Sequence, residues 1–214
     1  MDKKIVLYLH GFASSGQGTK AQYFRSQFGP FPHVTFHALE FNPTPADFEY
    51  MTITGLINRL RQYLLGQQPG KISFIGSSLG ALAALHYAHR FGGVERMLLL
   101  APALTYLTGN YTEAQLLQWQ REGAINAAHY AFEREAPLRY DYHLDGLRYL
   151  QPVPPPAPMM IIHGRNDEVV PIENSRRYVA GYPDQTQLVE VESDHRLNDQ
   201  LDLIWHYVLS FLLS

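Results

Sequence analysis

The sequence predicts an α/β fold, with a six-stranded, mainly parallel sheet and helices on both faces. Three observations carry this. Short apolar runs of strand length recur along the 214 residues, each followed by a stretch with helical spacing. Strands separated by helices return to one sheet by crossovers, which makes neighbours parallel. A composition of 46% apolar and 17% charged residues is that of a globular chain able to build one core of this size. Residues 1–214 are therefore expected to form a single domain.

Lys4 to Leu9 reads as a buried strand, rich in branched and aromatic residues and bounded by Gly11. Thr19 to Phe28 follows as a helix stopped by Gly29-Pro30. Val34 to Phe41 alternates as a second strand, which Asn42-Pro43-Thr44-Pro45 breaks. Asp47 to about Leu65 carries apolar residues at helical intervals and ends at Gly66 and a Pro69-Gly70 turn. Lys71 to Ile75 is the third strand, followed by Gly76-Ser77-Ser78-Leu79-Gly80 and an alanine-rich helix to about Phe91. Arg96 to Leu100 gives the fourth strand and Pro158 to Ile162 the fifth. A helix from Pro171 to Ala180 opens with proline, tolerated at the first helical position because that N–H has no partner there. Gln187 to Val191 is the sixth strand. Leu201 to Leu213 closes the chain as a buried helix; it holds Asp202, His206 and Ser210 and falls short of the roughly 20 apolar residues of a membrane span.

The interval from about 105 to 157 interrupts the alternation. Connections inside compact domains are usually about 2 to 6 residues, so one this long reads as a functional insertion, here a small helical cap. Thr112 to Arg121 is its predicted helix. Tyr106 and Trp119 are its candidate substrate-lining residues, and Pro152 to Pro158 is its extended return to the sheet.

The balance of 17 Lys+Arg against 20 Asp+Glu lacks the clustered basic excess of a nucleic-acid binder. Zero cysteines exclude disulfides, thiol nucleophiles and thiolate metal sites. The ten histidines are scattered and form no His-Glu-x-x-His pattern, so neither a metal nor another cofactor is expected. Ile5 to Leu9 is too short for the apolar core of a signal peptide, which points to the cytoplasm.

Gly76-x-Ser78-x-Gly80 lies where a strand turns sharply into a helix, the context that makes this pattern a nucleophile elbow rather than an ordinary glycine turn. So sharp a turn strains the central residue and leaves room only for small neighbours two positions away. A serine hydroxyl is a weak nucleophile and needs a base, which in turn needs an orienting carboxylate. On this fold the three follow in the order serine, acid, histidine. Asp167 comes 89 residues after Ser78, just beyond the fifth strand, and His195 comes 28 residues later, just beyond the sixth. Both lie at C-terminal strand ends, where ligands bind in open parallel sheets. Glu168 faces solvent in this reading, Asp194 orders its own loop, and His163 is a structural hydrogen-bonding residue. Ser77, the competing hydroxyl, lacks small residues at the right spacing. Two N–H groups must also receive the oxyanion of a tetrahedral intermediate. Leu79 supplies one and the His10-to-Gly16 loop the other, from Phe12.

With these residues in place, the chain resembles the α/β-hydrolase superfamily over nearly its whole length. His10-Gly11-Phe12, the elbow, His163-Gly164-Arg165-Asn166-Asp167-Glu168-Val169-Val170-Pro171 and Asp194-His195 carry the likeness. Within it, His-Gly-Phe-x-Ser-Ser together with Gly-Ser-Ser-Leu-Gly is similar to the small YqiA-like bacterial esterases. The resemblance implies a serine hydrolase that cleaves a small carboxylic ester through an acyl-enzyme. Ser78 would be nucleophile, His195 base and acid, Asp167 its orienting partner, and Phe12 and Leu79 the oxyanion donors. A thioesterase or peptidase would use the same residues, and a catalytically silent binding protein of this fold is the alternative from another class.

Overall fold

The alternating residues of the first strand divide the core in two. The computed structural model of the protein describes residues 4–67 and 70–213. In β1 (Lys4–Leu9), Ile5, Leu7 and Leu9 join one cluster of buried side chains, while Val6 and Tyr8 join another, because successive side chains point to opposite faces of a strand. All five are buried, so both faces must be covered.

The first half of the chain continues through α1 (Thr19–Phe28), β2 (Val34–Leu39), α2 (Pro45–Glu49), α3 (Ile53–Gln67), β3 (Lys71–Ser77), α4 (Leu79–Phe91) and β4 (Val94–Leu100). The second half holds α5 (Glu113–Glu122), β5 (Ala124–His129), β6 (Arg134–Arg139), α6 (Asp141–Gly146), β7 (Met159–Gly164), α7 (Ile172–Gly181), β8 (Thr186–Val191) and α8 (Leu201–Tyr207). The main sheet has six strands in the order β2-β1-β3-β4-β7-β8, with every pair parallel. On one face Ala21, Phe24 and Phe28 of α1 and Ile204 of α8 meet Val6, Tyr8, Ile75 and Leu98. On the other, α3 and α4 cover Leu7, Phe74, Leu99 and Ile161, and Tyr178 of α7 joins them. The protein is thus a six-stranded parallel α/β sheet with helices on both faces. Among the described residues no helix is long and apolar enough to cross a membrane.

Three helices differ from the expected ones. The predicted helix 47–65 is two helices. Thr44 caps α2 in a reciprocal box with Asp47, and Tyr50 ends it. The Thr52 hydroxyl then accepts the Gly55 N–H at 2.9 Å, starting α3 afresh. Of the turn expected after it, Pro69 lies outside the described residues. Pro171 stands just before α7, not within it. Beyond α8 the chain widens into a π turn over Val208–Leu212.

The insertion is not purely helical. Between α5 and α6 it folds β5 and β6 into a separate antiparallel hairpin. Their sequences, AINAAH and REAPLR, hold one β-branched residue between them and a proline, so strand propensity gave no signal. α5 forms as expected, with Thr112 and Gln115 in a capping box and Gly123 in the left-handed conformation at its end.

Candidate active site

The turn from β3 to α4 holds Ser78 at φ 50°, ψ −117°, a conformation that costs a non-glycine residue on the order of 1–3 kcal/mol. Neighbouring strands keep it there. The Ser78 N–H donates to the Leu100 carbonyl at 3.0 Å, and the Ala103 N–H donates to the Ser78 carbonyl at 3.2 Å. The spacing of small residues has a direct cause: a Cβ on Gly80 would lie 2.1 Å from the Leu9 carbonyl oxygen, and one on Gly76 would lie 2.7 Å from Ala81 Cα. The elbow can therefore nest against β1 only with glycine on both sides of the serine.

Two loops at the same sheet edge bring partners to Ser78. His195 Nε2 is 3.0 Å from Ser78 Oγ, and His195 Nδ1 is 2.8 Å from Asp167 Oδ2. A proton on Nδ1, donated to the carboxylate, leaves Nε2 free to accept the serine O–H. The loops after β7 and β8 touch at Gly164, where a Cβ would be 2.3 Å from the Ser193 carbonyl oxygen. That close approach lets the Asp167 loop reach the His195 loop.

The Asp167 side chain is fully buried, and burial alone would raise its pKa. Four donors oppose this. Oδ2 accepts from His163 Nε2 at 3.0 Å as well as from His195, while Oδ1 accepts from the Val169 and Val170 amides at 2.9 and 2.8 Å. Together they hold the carboxyl well below its ordinary 3.8, so it is ionised at any working pH. Asp194 accepts from the Arg196 and Leu197 amides at 2.9 and 3.2 Å and so orders its own loop. Ser77 is buried, with its side chain hydrogen-bonded to Tyr8.

Leu79 opens α4, so its N–H is one of the first-turn donors without an acceptor inside the helix. Phe12 lies in the loop after β1, which packs on the elbow: a Cβ on Gly11 would be 3.2 Å from Ser78 Cβ. Phe12, Ser78, Leu79 and Tyr106 line a common cavity of about 150 Å³. Trp119, expected to line it too, does not. It is fully buried one layer back, with its indole N–H on the Leu138 carbonyl at 2.9 Å and its ring 5.1 Å from Tyr111, which does line the cavity. A larger hollow of about 680 Å³, flanked by β2 and α3, contains none of Ser78, Asp167 and His195.

Two supports stand behind the site: His163, the expected structural hydrogen-bonding residue, and His10, which the sequence left without a role of its own. His163 carries Asp167, and its other nitrogen, Nδ1, meets Ser175 Oγ at 2.8 Å. His10 steadies the loop of Phe12: Nδ1 meets the Gly11 carbonyl at 2.9 Å, and Nε2 lies 3.0 Å from Glu40. Burial would raise the Glu40 pKa, but His10 and the Gly16 and Asn42 amides bring it down to about 2. Glu40 sits 30 residues from His10, just past β2, so only the sheet pairing reveals the contact. The hairpin turn also reaches the site. The Tyr130 N–H donates to the Ala13 carbonyl at 3.1 Å, and the Arg196 guanidinium lies 5.3 Å above the Tyr130 ring. Among the described residues no group of three or more His, Asp or Glu is arranged to hold a metal ion.

Solved structures share this architecture. A protein of Agrobacterium vitis S4, classed provisionally as a hydrolase, superposes with a TM-score of 0.85 at 20% identity, over 97% of this chain and 87% of its own. The mouse α/β-hydrolase domain-containing protein 10 gives 0.81 at 19% identity, over 98% and 90%. An esterase of Exiguobacterium antarcticum gives 0.71 at 13%, over 100% and 94%. At these identities the likeness establishes the α/β-hydrolase fold. No curated protein matches the chain in sequence. A family pattern does match, from residue 5 to residue 212, and with nearly the whole chain covered the protein belongs to the family described as Uncharacterised protein family (UPF0227).

Proposed function

We propose that the protein is a serine hydrolase that cleaves a small carboxylic ester through an acyl-enzyme. The observation that carries this reading is the chain of hydrogen bonds from Ser78 Oγ through His195 to a buried, ionised Asp167, at 3.0 and 2.8 Å. His195 Nε2 takes the Ser78 proton as Oγ bonds to the ester carbonyl carbon. The oxyanion formed there is received by the Leu79 and Phe12 N–H groups. Collapse of the tetrahedral intermediate breaks the bond to the leaving alcohol, which takes the proton from His195. Water then enters, gives its proton to His195 and attacks the acyl carbon, and Oγ leaves as the serine hydroxyl with release of the acid. Asp167 fixes the imidazole tautomer and stabilises the imidazolium between the two proton transfers. An esterase of Exiguobacterium antarcticum and a monoacylglycerol lipase of Paleococcus ferrophilus share the fold, which agrees with hydrolytic chemistry on it.

The test is labelling with a fluorophosphonate alongside hydrolysis of p-nitrophenyl acetate. Wild-type protein should incorporate one label, and Ser78→Ala should lose both label and turnover, with kcat falling by about 10³ or more. Labelling that survives Ser78→Ala unchanged would overturn the assignment.

A further inference from the structure

The cavity beside Ser78 is small, and it is more polar than a plain alkyl chain requires. At about 30 Å³ for each water-sized group in a condensed phase, its 150 Å³ holds roughly five non-hydrogen atoms. Three tyrosines line it: Tyr106, Tyr111 and Tyr142. Tyr106 commits its hydroxyl to His143 Nδ1 at 3.0 Å. The other two rings are fixed by packing: Tyr142 lies 5.7 Å from Tyr106 and 5.8 Å from Phe12, and Tyr111 lies against Trp119. Among the described residues, neither the Tyr111 nor the Tyr142 hydroxyl has a hydrogen-bond partner, and neither is sealed away as the Tyr63 hydroxyl is. Tyr142 is only 6% exposed. Burial holds its phenol well above the ordinary 10, as does the neighbourhood of Tyr106 and Tyr111, so it stays a neutral O–H donor. A fixed phenol that no protein group engages, at the wall of a cavity, is a donor open to a ligand oxygen.

We propose that this cavity selects a short acyl group, of about five non-hydrogen atoms beyond the ester carbonyl, that carries its own hydroxyl or keto oxygen received by Tyr111 and Tyr142. This rests on the acyl-enzyme reading above and names the substrate class of the same site. Discrimination follows from chemistry: an all-carbon chain of equal length leaves both phenols unpaired, whereas an oxygen on the third or fourth carbon pairs with them.

The experiment compares matched p-nitrophenyl esters, 4-oxopentanoate against pentanoate and 3-hydroxybutanoate against butanoate. Each kcat/KM is divided by the rate of hydroxide-catalysed hydrolysis of the same ester. At least one oxygen-bearing ester should be preferred by about tenfold, the factor of a neutral hydrogen bond. Tyr111→Phe and Tyr142→Phe should each lower that ratio, and the double variant should bring it to about one. Fluorophosphonate labelling of Ser78 in the variants reports that the site is assembled, and the single variants carry the test if the double variant does not label. Both ratios near one in a wild-type enzyme that labels at Ser78 would overturn the inference alone. A preference that persists undiminished in the labelled double variant would do the same. A wild-type protein that takes no label overturns the acyl-enzyme reading, and this inference with it.

Discussion

Four donors meet on the Asp167 carboxylate, and the one from His163 separates two ways of holding a buried charge. The amides of Val169 and Val170 come from the loop's own turn, whereas His163 reaches Asp167 from the end of β7. Its Nε2–H is shared with the Val170 carbonyl at 2.9 Å, and Nδ1 accepts from Ser175. His163 therefore fixes where Oδ2 stands, and through it the plane of the His195 ring. A hydrogen bond to a charged group contributes about 1.5–3 kcal/mol, and leaving that group without one costs as much again in a dry site. His163→Leu should lower kcat/KM by about 10- to 100-fold and destabilise the protein by about 2–4 kcal/mol in urea. His163→Gln keeps an N–H near the position of Nε2 and should recover much of the lost activity while recovering less of the stability. Equal losses of activity in the two variants would show that His163 acts by packing alone.

At the scale of elements, the β5–β6 hairpin joins the two loops that flank Ser78. The Tyr130 N–H holds the loop of Phe12 through Ala13, while the Tyr130 ring meets Arg196 beside His195. Tyr130 opens a short 3-10 turn after an extended His129, a setting that accepts proline. Tyr130→Pro should therefore remove both the amide donor and the ring with little backbone strain, whereas Tyr130→Ala removes the ring alone. We expect kcat/KM to fall several-fold further in Tyr130→Pro than in Tyr130→Ala, with stabilities within about 1.5 kcal/mol of each other. Identical activities would show that the amide bond to Ala13 does not position the Phe12 loop. This hairpin is also the element that the sequence conceals. The central strands are legible because burial on both faces makes them continuous apolar runs, as in KISFIGS and MMIIHG. Ser78, Asp167 and His195 are legible because each follows such a run. The hairpin's alanine-rich strands and Pro137 carry no period-2 signal, and its pairing is fixed by tertiary packing. The restart of α3 at Thr52 was readable as a cap, but the apolar spacing across Tyr50 and Met51 hid it. Trp119 shows the limit of composition: an aromatic insertion predicts a lined cavity without saying which ring faces it and which stands behind.

For the molecule as a whole, carboxylates and buried histidines respond to acid in different pH windows, as Asp167 and Glu40 on one side and His86 on the other show. Asp167 and Glu40 titrate below their ordinary 3.8 and 4.5, Glu40 at about 2. Groups of this kind favour the folded state above their unfolded pKa, and that advantage disappears as pH falls through the folded value. Their contribution is therefore constant from neutrality to about pH 5. His86 acts earlier. It is buried on α4 against the Tyr149 ring, its Nε2 has no hydrogen-bond partner among the described residues, and burial, with Arg90 and His89 adding repulsion, lowers it from 6.5 to about 4. The unfolded chain then binds a proton below 6.5 that the folded protein refuses until about 4, so stability declines across that interval as pH falls. At about 1.36 kcal/mol per unit, the full effect is roughly 3 kcal/mol, of which about 2 develops between pH 7 and pH 5. His86→Leu deletes the titration and keeps an apolar contact with Tyr149. Urea unfolding at pH 7 and pH 5 should show wild type losing about 2 kcal/mol more than His86→Leu over that step. Below pH 4 the two curves should fall together, because Asp167 and Glu40 are common to both. Parallel curves from pH 7 to pH 5 would mean that the folded protein accepts the His86 proton after all, by opening α4 to water at that position.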